Sequence, residues 1–186
     1  MSDFEFLSVF ISIIIGFGLT RLLGGLGRAY HFRRTNRMDV VHVAWTIAVL
    51  FILILNWWVI LLWRDVDGWT FTQFFFLILW TSSMYVLALA LYPPDVARDV
   101  DYRELFENNR TWFLATWTVM CVLDMTVTYM REQGWPEPTY IAFVLHYGLI
   151  TLTGIFVRNR KYDLIAAWYI AGTMAAWSFG VRATLF

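Results

Sequence analysis

Apolar segments of 18 or more residues recur along this chain, and residues 8–28, SVFISIIIGFGLTRLLGGLGR, are a typical one. A helix of about 20 apolar residues crosses a hydrocarbon core about 30 Å thick. In that solvent every backbone N–H and C=O must bond within its own segment, so each run reads as a helix. Six runs fit, at roughly 4–26, 40–63, 69–92, 111–130, 139–157 and 163–185. The expected fold class is therefore all-α, one domain over residues 1–186, an integral membrane bundle of six transmembrane helices. Composition agrees: 60% of residues are apolar and 15% charged, against about a quarter charged in a soluble domain.

The segment ends are punctuated. Pro93 and Pro94 close the third run, because proline lacks the amide hydrogen that continues a helix, and Pro136 and Pro138 frame the entrance to the fifth. The stretch DYRELFENN reads as a short surface helix with Leu105 and Phe106 toward lipid headgroups. The opening MSDFEF carries Asp3 and Glu5 and no basic residue, unlike a cleavable signal peptide. The first run is thus expected to stay as a helix.

The basic residues fix an orientation. Arg28, Arg33, Arg34 and Arg37 follow the first run, Arg98, Arg103 and Arg110 the third, and Arg158, Arg160 and Lys161 the fifth. The other side holds only Arg64 and Arg131. By the positive-inside rule, loops 1, 3 and 5 are cytoplasmic and both termini face outward, on the periplasmic side. The two three-helix halves then have opposite topology, as in many transporters, but they show no matching residues, so no internal repeat is expected. Trp63, Trp69, Tyr92, Tyr102, Trp135 and Tyr140 fall near segment ends, where amphipathic rings favour the headgroup level.

Small residues recur every fourth position in the first run: Ser8, Ser12, Gly16, Thr20 and Gly24. Residues four apart share a helix face, and such a face lets two backbones approach closely. The last run has a second stripe, Gly172, Ala176, Gly180 and Thr184. The two stripes suit packing on each other within one subunit, and equally a contact between subunits. Two charges stand inside the runs, Arg21 and Arg182. Arg21 is near the cytoplasmic end, where a long side chain snorkels to the headgroups.

The candidate functional residues are Asp124, His146 and Asn56. They lie seven, eight and eight residues from Arg131, Pro138 and Arg64 respectively, each about 10–12 Å below the outer boundary at 1.5 Å per residue. Three runs thus bring polar groups to one depth. Runs four and five are joined by a short connection and are expected to be antiparallel neighbours, which makes an Asp124–His146 bond feasible, with Asn56 orienting the pair. Intramembrane carboxylates and histidines serve as proton relays, and equally as structural hydrogen bonds between helices. Cys121, Thr128 and Arg131 share the face of Asp124. Cys121, the single cysteine, reads as a small buried hydrophobe. His42 is expected at the interface, and His31 with Arg33 and Arg34 near anionic headgroups.

Several classes are excluded or disfavoured. The one lysine, Lys161, sits in the RNRK turn and cannot carry a buried Schiff base. His42 and His146 lie near opposite sides, which argues against bis-histidine haem. No channel-filter, phosphate-loop or hydrolase motif occurs. No metal site and no enzymatic activity are expected, and zero net charge gives no field favouring nucleic acid.

The pattern SIIIGFGLTRLLGGLGR resembles the first helix of small bacterial polytopic membrane proteins of uncharacterised activity. The resemblance implies a multi-pass protein of the bacterial inner membrane and carries no site residues. The expected function is a polar intramembrane site in the outer half, handling a proton, an ion or a small solute. The alternative is a non-catalytic accessory or assembly subunit, a homo-oligomer or part of a larger membrane complex, docked through its first helix.

Overall fold

The order of the helices already dictates a bundle in which odd-numbered loops meet at one end. The computed structural model describes residues 3–66, 68–94 and 99–180. Its elements are α1 (Asp3–His31), α2 (Val40–Val59), α3 (Phe71–Leu91), α4 (Tyr102–Glu132), α5 (Pro138–Phe156) and α6 (Arg160–Gly180). A single 3-10 turn, Ile60–Trp63, continues α2. Among the described residues there is no strand, only an isolated bridge between Arg37 and Asp101. Five helices are long and apolar enough to cross a membrane, and α6, described as far as Gly180, is not among them. Arg182 and Thr184 lie outside the described residues.

Local chemistry sets the helix ends. Asp39 accepts from the His42 backbone N–H at 3.0 Å and caps α2. Thr70 and Gln73 form a reciprocal capping box at the start of α3, satisfying two otherwise orphan donors. Asp101 caps α4 through the amides of Arg103 and Glu104. Gln133 ends α4 in the left-handed region, with φ 53°, and Pro138 opens α5 at its first turn, where the missing N–H is harmless. The expected surface helix over DYRELFENN is instead the first two turns of α4. Phe106 on it is buried rather than lipid-facing, because it packs edge-on against Phe113.

Helix α3 lies between α1 and α4, α4 packs in turn on α5, and α2 crosses behind them to hold α6. The core of α1 uses Leu7, Ile11, Ile15, Gly18, Leu22 and Ala29, a face beside the small-residue stripe. Gly18 and Gly25, not Gly16 and Gly24, are the close approaches. A Cβ at Gly25 would stand 2.2 Å from the Tyr92 ring, whereas one at Gly16, Gly24, Gly172 or Gly180 meets nothing within 4 Å. The principal partner of α1 is α3 and that of α6 is α2, so the two stripes are not each other's main contact.

Candidate functional site

Three helices turn the same kind of face to one cavity. On α4 it is Trp117, Met120, Cys121 and Asp124; on α5, Tyr140, Phe143, Val144 and Tyr147; on α2, Ile52, Leu55, Asn56 and Val59. Each set is spaced i, i+3, i+4, i+7, one stripe of an α-helix. Trp80 of α3 and Met174 and Trp177 of α6 close the walls. The cavity measures about 60 Å³, and a single water needs about 10–15 Å³ on this scale, so it holds a few waters or one small solute.

Asp124 supplies the carboxylate. Its Oδ2 accepts from the Tyr140 hydroxyl at 2.7 Å, and Trp80 stands in the same cavity wall. Thr128 Oγ1 lies 3.4 Å from the same Tyr140 oxygen, which extends the polar chain one turn toward the end of α4. Arg131 also lines the cavity, with its Nη2 on Glu132 at 2.7 Å. Asn56 is buried and donates Nδ2–H to the Ile52 carbonyl of its own helix at 2.8 Å. The Trp117 indole N–H is buried without a partner among the described residues.

The structure therefore brings Asp124 and Asn56 together around one space, with Arg131 and Cys121, and leaves His146 out. His146 Nδ1 donates to the Ala142 carbonyl at 2.9 Å, and its ring packs on Tyr147 and on Tyr169 of α6. Its Nε2 is buried without a partner among the described residues. The reason is angular. His146 is six residues from Tyr140, hence about 120° round the helix at 100° per residue. That azimuth keeps it off the cavity, and Tyr140 takes the place expected for the histidine. Tyr140 could have been found from its spacing with Phe143, Val144 and Tyr147.

The opposite end holds a second polar cluster that the loop arithmetic hid. Arg110 Nε and Nη2 grip the Asp163 carboxylate at 2.8 and 2.7 Å. Nη2 also donates to the carbonyls of Gly154 and Val157 at 2.7 and 2.8 Å. Both side chains are almost wholly buried, and only Nη1 of Arg110 lacks a partner among the described residues. Beside them Arg160 pairs with Asp39. Burial alone would raise the Asp39 carboxyl, but the Arg160 guanidinium and the His42 backbone N–H outweigh it and hold it below its ordinary value. His42 is fully buried rather than interfacial, with Nε2 2.9 Å from the Leu91 carbonyl and its ring edge-on to Tyr92.

Among the described residues no three His, Cys, Asp or Glu side chains group as metal ligands. Comparison with protein-family models, with curated proteins and with solved structures finds no match.

Proposed function

We propose that the chain is a six-span, non-catalytic protein of a bacterial inner membrane, with both termini outside, whose Asp124 cavity binds a proton or small cation in transit through the outer half of the bilayer. What carries the reading is a carboxylate facing a cavity inside apolar helices. An intramembrane acid is expensive and by default marks a site or a partner. Here the bonded partner, the Tyr140 hydroxyl, is neutral, and Arg131 is engaged by Glu132. A cation entering the cavity would complete the charge balance.

The test is flux in reconstituted vesicles. Asp124→Asn is expected to abolish proton or sodium uptake and Asp124→Glu to keep part of it, with both variants still inserting. Undiminished flux in Asp124→Asn rejects the site.

The open stripe of α1 supports a second reading, an accessory subunit docked through that helix. Gly16 and Gly24 have free space above them, and Trp57 reaches Ser12 across the α1–α2 groove at 3.2 Å. On this reading Gly16→Leu removes the chain from a native complex on a blue-native gel while Asp124→Asn does not.

A further inference from the structure

Where α1 passes the junction of α3 and α4, a cavity of about 460 Å³ opens to the outside. Arg21 and Arg28 both face it, and so do the rings of Tyr85, Tyr92 and Tyr102. No carboxylate lines it among the described residues, and neither arginine makes an ion pair there. Arg28 is exposed and Arg21 half-buried, and with no acid between them positive charge gathers in one recess. A bound anion would relieve that.

We propose that this recess binds one anionic phospholipid, its phosphate held by Arg28 and Arg21 and its first acyl carbons lying over Phe17. The geometry suits a lipid better than a free ion. Arg28 is two turns beyond Arg21 on the same face of α1, about 10 Å along the axis, and the Arg21 side chain is long enough to reach back toward it. Deeper along the groove Phe17 is exposed and lies against Tyr85, and Phe10 lies against Phe74. These rings continue the recess as an apolar track along α1 and α3. Its floor is set by Gly25, on which the Tyr92 ring rests. Its rim at Gly24 is open, with nothing near a Cβ there. An acid-free lining also selects among lipids: a zwitterionic head would bring an ammonium group, quaternary in phosphatidylcholine, against two arginines, whereas phosphatidylglycerol brings only negative charge. The inference needs the membrane but not the cation role of Asp124.

Native mass spectrometry of the protein in mild detergent tests it, with dioleoylphosphatidylglycerol and dioleoylphosphatidylcholine added in turn. One phosphatidylglycerol should be retained per chain in preference to phosphatidylcholine. At about fivefold per arginine, Arg21→Gln with Arg28→Gln should weaken it about thirtyfold. Gly24→Leu should displace the lipid by filling the rim while leaving the packing on Tyr92 intact, so it decides the matter if the double variant does not fold. Arg33→Gln with Arg34→Gln, on the neighbouring loop, should retain the lipid. Equal retention of both lipids, or unaltered phosphatidylglycerol retention in Gly24→Leu, would overturn the proposal. So would complete displacement by excess inorganic phosphate, which would mark a free-anion site.

Discussion

The two ends of the bundle handle buried polarity in opposite ways. At the arginine-rich end, loops bond to loops. Arg37 N–H donates to the Val100 carbonyl at 2.9 Å and Tyr102 N–H to the Arg37 carbonyl at 3.0 Å, while Asn36 accepts from Val100 N–H at 3.0 Å. Arg160–Asp39 ties the start of α6 to the start of α2, and Arg110–Asp163 ties α4 to α6. At the other end the connections meet through rings: Trp63 stacks on Trp69 at 5.2 Å and Tyr129 meets Trp135 edge-on at 5.3 Å. The half-buried acid there, Asp124, meets a neutral hydroxyl and lines a cavity. Charge matched by charge builds a lock, and charge matched by a hydroxyl and a cavity builds a site.

Breaking the lock should have the largest effect. Arg110→Ala leaves Asp163 buried without its cation, and loss of one partner of such a pair costs about 3–5 kcal/mol. Unfolding in mixed detergent micelles should show it. Replacing both residues together, Arg110→Met with Asp163→Leu, should cost far less, because no charge is stranded. Asp124→Asn should stay within about 1 kcal/mol, since its amide oxygen still accepts from Tyr140. If Asp124→Asn destabilises as much as Arg110→Ala, the two ends are not different in kind.

That contrast also explains what could be read from the sequence. Run lengths, loop charges and prolines led to the helices because each is a one-dimensional signal. Asp124 and Asn56, singled out by a count of residues from a helix end, do line one cavity. What failed was the angle around α5 and α1. His146 faces Tyr169, and the stripe from Ser8 to Gly24 sits beside the face that packs. Arg110 and Asp163 were missed because counting loop arginines treats each as a solvated charge, and their meeting joins positions 53 apart. Only tertiary packing brings them together. The Gly25–Tyr92 contact, across 67 positions, was hidden in the same way.

A smaller effect sharpens the outer site. Tyr140→Phe removes the hydroxyl that Asp124 accepts from and nothing else of the ring. Because cavity water can replace the donor, the stability loss should be about 0.5–1.5 kcal/mol, the range of a single hydrogen bond. Flux should fall without vanishing, since the carboxylate remains. A loss as complete as in Asp124→Asn would make Tyr140 an obligatory relay rather than an orienting donor.

The smallest effect is a pH dependence confined to the lock. Asp39 sits outside the membrane spans, and its carboxyl is held below the usual value of 3.8 despite burial. A group whose pKa is depressed by folding stabilises the fold above its unfolded pKa, and that stability is lost as pH falls through the folded value. Stability should therefore be level from neutral pH down to about pH 5 as far as this group is concerned, and decline below about pH 4 as Asp39 takes up a proton and releases Arg160. Asp39→Asn should lower the neutral plateau slightly and flatten the acid limb. The amide can still cap α2 through His42 N–H, so the difference isolates the ion pair from the cap. Because Arg160 is 41% exposed, salt should shrink the difference, whereas the deeper Arg110–Asp163 pair should be nearly indifferent to salt. Equal salt sensitivity at the two pairs would mean that water reaches Arg110, and the lock would then resemble the Asp124 cavity at the other end.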